Sequence, residues 1–138
     1  MRCLASTNKS MSPLSILLVD DSPVFLLSVS RFLSMDERLS IVGCVLSGED
    51  AVEEVQRSHP DVVLMDIAMP IMNGWEATRL IKAQPKPPYI VILSSNDSRE
   101  YHATSVAVGA DSFIPKSEIA IMLKPLLLNI YSNHNHKF

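Results

Sequence analysis

Cysteine is scarce in this chain: Cys3 and Cys44 are its two examples among 138 residues. Two thiols do not make a disulfide framework, and their scarcity suits a reducing compartment such as the cytoplasm. Cys3 lies in a polar N-terminal stretch. Cys44 lies in an apolar run, where the usual preference of the residue predicts a buried free thiol. Long apolar runs are also missing. The most apolar stretch, "IAIMLKPLLLNI", is broken by Lys124 and Pro125, well short of the roughly 20 apolar residues that a membrane span requires. The opening "MRCLASTNKSMSP" has no apolar core, which excludes a secretory signal by pattern; residues 1–13 are expected to form a flexible extension. A large excess of charge is absent too. The net charge is -3, so nothing in the balance favours direct binding to nucleic acid or to an anionic membrane. There is no internal repeat and no low-complexity segment.

What is present is an ordinary globular composition, 47% apolar and 20% charged, over a length that suits one domain with a true core. Short apolar runs alternate with segments of helical spacing. The strand-like runs are "LSILLV" (14–19), "LSIVGCVLS" (39–47), "DVVLMD" (61–66), "PYIVILSS" (88–95) and "ADSFIP" (110–115). The helical segments are 23–35, with Ser22 as N-cap and Pro23 in the first turn, then 48–58, 73–84, 98–109 and a last one from Ser117 to about Ser132. Pro125 within the last segment is expected to kink or restart it. The pattern is therefore strand then helix, five times over. Several strands are apolar on both faces, as in a parallel sheet covered by helices on either side. Right-handed crossovers then give a doubly wound α/β domain over 14–131, with 132–138 as a flexible tail.

In such sheets, sites form beyond the carboxyl ends of the strands. Asp20 and Asp21 follow the first run, Asp66 the third, Ser94 and Ser95 the fourth, and Lys116 the fifth. The second offers only Ser47, Gly48 and Glu49. Three acids on one rim would repel, and some would protonate, unless a cation joined them. Magnesium fits, because it takes one or two carboxylates, keeps waters and accepts phosphate oxygens. A carboxylate can attack phosphorus, and the transferring group spreads negative charge over three oxygens. A metal, an ammonium and a hydroxyl can each meet one of them. The set is complementary to phosphoryl transfer onto an aspartate.

The pieces "LLVDDSP", "VVLMDIAMPIMNG", "IVILSS" and "GADSFIPKS", in this order and at these spacings, resemble the response-regulator receiver domains of two-component signalling over about residues 14–131. The resemblance implies a flavodoxin-like (βα)5 fold with strand order 2-1-3-4-5, an order the family itself exemplifies. It implies that Asp66 is the phosphoacceptor and Asp21 a direct magnesium ligand. Asp20 would be the second acid, often acting through water, and Ala68 would offer its backbone carbonyl to the metal. Lys116 would pair with the phosphoryl group, Ser94 would be the switch hydroxyl and Phe113 the switch aromatic. Met69, Pro70 and Gly74 match the loop leading to the third helix. The implied donor is a histidine kinase or histidine phosphotransfer protein. The implied output surface is the face of the fourth helix, fifth strand and fifth helix, which would meet a downstream protein or, as an open alternative, a second copy. The implied setting is the cytoplasm, and the implied role is a switch that takes part in its own phosphorylation and dephosphorylation, not an ordinary enzyme.

Departures from the family pattern carry their own expectations. Ser117 follows Lys116 where proline is common, and this "K-S" ending resembles receivers fused to helix-turn-helix DNA-binding domains. Ala68 cannot position water with its side chain, which predicts a long-lived phosphoryl group. Only 22 residues follow Lys116, so the expected protein is a stand-alone receiver or a piece of a longer transcription factor. Two rivals remain. An aspartyl-phosphate phosphatase would usually have a second Asp two residues past the nucleophile, where Ala68 and Ser22 stand relative to Asp66 and Asp20. A phosphorylation-independent binding module would not need the acidic set. Trp75 is expected to cover a helix surface, and His59, His102, His134 and His136 are expected at the surface or in the polar tail.

Overall fold

A computed structural model describes residues 12–135. Five parallel strands, β1 (Leu14–Val19), β2 (Leu39–Val45), β3 (Val62–Asp66), β4 (Tyr89–Ser94) and β5 (Ser112–Pro115), form one sheet in the order β2-β1-β3-β4-β5. The helices are α1 (Pro23–Ser34), α2 (Gly48–Ser58), α3 (Gly74–Lys82), α4 (Arg99–Ala107) and α5 (Ile119–Asn135). The sheet divides the core in two. One layer packs Leu14, Ile16 and Leu18 with Leu26, Leu33, Leu123 and Leu127 of α1 and α5. The other packs Leu17, Val19 and Val63 with Ala51, Val55, Ala77 and Ile81 of α2 and α3. Alternate residues of β1 thus serve opposite layers, which is why its run is apolar from Ile16 to Val19 without a break.

The local signals act as their chemistry dictates. Ser22 caps α1 by accepting from the Phe25 N–H, with Pro23 in the first turn. Asn73 and Glu76 close a reciprocal capping box at the start of α3. Register sets the site. Val19 pairs with Met65 and Ser94 with Pro115. The chain therefore leaves β1 at Asp20 beside Asp66, and leaves β5 at Lys116, one residue past the partner of Ser94.

Three expectations need correction. Cys44 is exposed, not buried. It lies on β2, the edge strand, on the same face as the exposed Val42 and Leu46. The last helix does not restart at Pro125, which is exposed and lies within the single helix Ile119–Asn135. The buried Leu123 and Leu127 on either side hold the two halves to the core and offset the one missing hydrogen bond. Residues 132–135 belong to this helix rather than to a flexible tail. Asn135 is buried there, and its Nδ2 donates to the carbonyls of Tyr131, at 2.9 Å, and Ser12, at 3.3 Å. The expected flexible extension lies outside the described residues apart from Ser12 and Pro13, as do His136 and the rest of the tail.

Candidate functional site

Asp20 follows β1 directly and is almost fully buried. Its Oδ1 accepts from the Ser22 N–H at 2.9 Å, which pins the carboxylate to the start of α1. Asp21, the next residue, is exposed. Asp66 closes β3 and is buried. Carboxylate oxygens of Asp20, Asp21 and Asp66 lie within 4.8 Å of one another. Lys116 opens a single turn of 3-10 helix after β5. Its Nζ donates to Asp20 Oδ2 at 2.9 Å and lies 3.1 Å from Asp66 Oδ1. The ammonium also stands 4.2 Å from the centre of the Phe25 ring.

The electrostatics follow from this crowding. Burial pushes the Asp66 carboxyl above its usual range, the Asp20 charge pushes it further, and Lys116 offsets part of both. Burial alone would lower the Lys116 ammonium, but the two carboxylates outweigh it and the group rises above the ordinary lysine value. Two acids and one cation leave the trio one negative charge in excess, and Asp21 adds another. A hard divalent cation matches that excess and the all-oxygen donor set.

The backbone around Asp66 is equally specific. The Gly74 N–H bonds the Ile67 carbonyl at 2.9 Å. A Cβ on Gly74 would stand 1.9 Å from the Asp66 carbonyl oxygen. The entry to α3 therefore lies directly against the chain at Asp66, and only glycine allows it. Between them the loop of Met69, Pro70 and Ile71 turns with Ile71 at φ 69 and 93% exposed. Ala68 is also exposed.

Ser94 is buried, and its hydroxyl is engaged within its own loop. It donates to the Asn96 carbonyl at 2.9 Å and accepts from the Asn96 N–H at 3.0 Å. Phe113 is half-buried and stacks on His102 of α4 with ring centres 3.8 Å apart. His102 in turn meets Asp97 at 2.6 Å. Ser47, Gly48 and Glu49 take no part in the cluster: Ser47 caps α2, and Gly48 packs against the Met72 carbonyl.

The model of the response regulator receiver domain matches residues 16–124. The chain is a response regulator receiver domain of two-component signalling. This receiver is 42% identical over 109 residues to a protein-glutamate methylesterase/protein-glutamine glutaminase of Colwellia psychrerythraea, covering 76% of the chain and 28% of that protein. It is 36% identical over 104 residues to the protein of the same name from Aliivibrio fischeri, covering 75% of the chain and 28% of that protein. It therefore spans little more than a quarter of the length of these curated relatives. Among solved structures, the response regulator domain of Thermotoga maritima CheB matches with a TM-score of 0.77 at 26% identity, over 91% of this chain and 98% of that one. The receiver domain of NarL from Mycobacterium tuberculosis matches with a TM-score of 0.82 at 25% identity, over 88% and 98%.

The sequence placed Asp20, Asp21, Asp66, Ser94 and Lys116 at one rim, and the receiver brings the three acids and the lysine together. Two features were not read from the sequence. Phe25 counted only as an apolar position of a helix, and its contact with Lys116 spans 91 residues of chain. His102 was read as a surface histidine and its side chain is 45% exposed, but its stacking on Phe113 was not read. No local spacing signals either contact.

Proposed function

We propose that this receiver accepts a phosphoryl group from a phosphohistidine donor onto Asp66 and thereby changes its protein partners. The observation that carries the reading is the Lys116 ammonium seated between Asp20 and Asp66, with Asp21 beside them. An oxygen of Asp66 attacks phosphorus, the phosphorus–nitrogen bond of the donor breaks, and its electron pair leaves on the imidazole. Asp20, Asp21, Asp66 and the Ala68 carbonyl would hold magnesium. When bound, the metal supplies charge neutralisation at the phosphoryl oxygens. Lys116 pivots from the carboxylates to a phosphoryl oxygen. Ser94 gives up Asn96 to meet another, and Phe113 leaves His102 and turns inward as the α4–β5–α5 face changes. That face exposes Val106, Ile121 and Met122, apolar surface available to a downstream protein or to a second copy. Phosphorylation need only bind the active shape better than the inactive one.

The donor in this reading is a histidine kinase or histidine phosphotransfer protein of the cytoplasm. The receiver is a switch and not a turnover enzyme; with Ala68 past the acceptor, its phosphoryl group is long-lived. The test is labelled phosphate from acetyl phosphate or a competent kinase. The wild-type protein should take up acid-labile label, and Asp66→Asn should take up none; equal labelling of the two would overturn the assignment. A second reading, a receiver segment of a longer regulator, is favoured by its span of 28% of the methylesterase relatives. The extent of the transcribed coding region distinguishes it from a stand-alone receiver.

A further inference from the structure

We infer that Phe25 is a positioning residue for Lys116 in phosphoryl transfer, an aromatic brace that confines the ammonium to the side of the acids. This rests on the reading of Asp66 as phosphoacceptor. The Lys116 ammonium has three N–H groups. Two directions are taken by Asp20 Oδ2 at 2.9 Å and Asp66 Oδ1 at 3.1 Å. The Phe25 ring lies on a further side, with its centre 4.2 Å from Nζ. An aromatic face attracts a cation but offers no lone pair that competes with phosphoryl oxygens. The ammonium is thus held without being consumed, and remains free to turn toward new oxygens at Asp66.

The ring is built into the site by the chain that carries the acids. Asp20 Oδ1 accepts from the Ser22 N–H, and Ser22 Oγ accepts from the Phe25 N–H at 3.2 Å. Asp20 and the first turn of α1 are therefore locked as one unit, so the backbone that carries the ring is fixed relative to the carboxylate. Lys116 and Phe25 also share the wall of a cleft of about 300 Å³ between α1 and the start of α5, together with Val29, Phe32 and Ile119. The lysine side chain keeps only 22% exposure. Without the ring, the cleft gives the ammonium a route away from Asp66 and into solvent.

Phe25 also packs against the core, so the test must separate bracing from simple packing. Stepwise fluorination of Phe25 keeps the shape of the ring and drains its negative face, and Phe25→Tyr retains the face. Two readouts apply: the rate of labelling from acetyl phosphate at saturating magnesium, and the NMR relaxation of the Lys116 ε-methylene without any donor. The expected result is a stepwise fall in rate, roughly fivefold at full fluorination, with growing Lys116 mobility, while Phe25→Tyr remains near wild type. In a Lys116→Met background, fluorination should have no further effect on the residual rate. A flat series in both readouts, or the same fivefold loss in the Lys116→Met background, overturns the proposal. Failure of the wild-type protein to take label would overturn the phosphoacceptor reading instead. The two failures are distinguishable, because Lys116 mobility reports the ring contact without phosphoryl transfer.

Discussion

Gly74 lies so close to Asp66 that a methyl group on its Cα would sit 1.9 Å from the Asp66 carbonyl oxygen. The obstacle is backbone, not a side chain that can rotate away, so β3 or the start of α3 would have to shift. Gly74→Ala should cost about 2–3 kcal/mol of stability in urea unfolding. Because the displaced chain carries the Asp66 carboxylate, its labelling by acetyl phosphate should fall as well.

Removing the lysine should expose the repulsion it masks. Lys116→Met leaves Asp20 and Asp66 face to face with no cation between them. We expect a loss of about 2 kcal/mol at neutral pH, less than for a fully buried pair because the lysine is partly exposed. Added magnesium should then raise the Tm of Lys116→Met by more than it raises that of the wild type, since the metal no longer competes with an ammonium. Thermal unfolding across a magnesium series checks both statements.

The raised Asp66 carboxyl has a definite sign in stability. Its folded value lies above the unfolded value because burial, and then Asp20, disfavour the charged form. The associated stabilisation is complete below the ordinary aspartate value of about 3.9 and is lost as pH rises through the raised folded value. Asp66→Asn cannot ionise and escapes that loss. Without metal, its Tm should exceed that of the wild type by a few degrees at pH 7, and the gap should close as pH falls toward 4, within about one unit of the unfolded value. Magnesium should narrow the gap at pH 7 by stabilising the ionised wild type.

Trp75 ties α3 to α4. Its Nε1 donates to Ser105 Oγ at 3.0 Å, and its ring meets Tyr101 edge-on at 4.9 Å. The α4 helix follows the loop that holds Ser94, so movement of that loop should be felt at the indole. Trp75 emission should change on adding beryllofluoride with magnesium, and the change should be lost in Asp66→Asn. Ser105→Ala should cost about 1 kcal/mol by leaving the indole N–H without its partner, which equilibrium unfolding measures.

Much of this architecture was legible in the chain because its signals are local. The apolar runs of β1, β3 and β4 reveal strands buried on both faces, and Ser22 ahead of Pro23 marks the start of α1, where its hydroxyl accepts from the Phe25 N–H. Cys44 was misread because an apolar run does not show that its strand lies at the edge of the sheet. The restart expected at Pro125 does not occur, because the local cost of the proline is visible in the sequence whereas the anchoring of Leu123 and Leu127 is not. Asn135 looked like part of a polar tail because its contact with Ser12 spans 123 residues.

By itself, the sequence determined the alternation of strands and helices and which side chains stand at the strand ends. Both depend on hydrophobic period and turn chemistry within a few residues. Only the tertiary structure decided that one lysine serves both Asp20 and Asp66, that Phe25 backs it, that Ser94 is held by Asn96, and that His102 covers Phe113. The lysine contact closes 96 residues of chain. It exists because the registers of β1 with β3, β3 with β4 and β4 with β5 set Asp20 beside Asp66 and bring the chain out of β5 two residues past that level, from where the long Lys116 side chain reaches both acids. Register is a property of packed strands, and no single segment carries it.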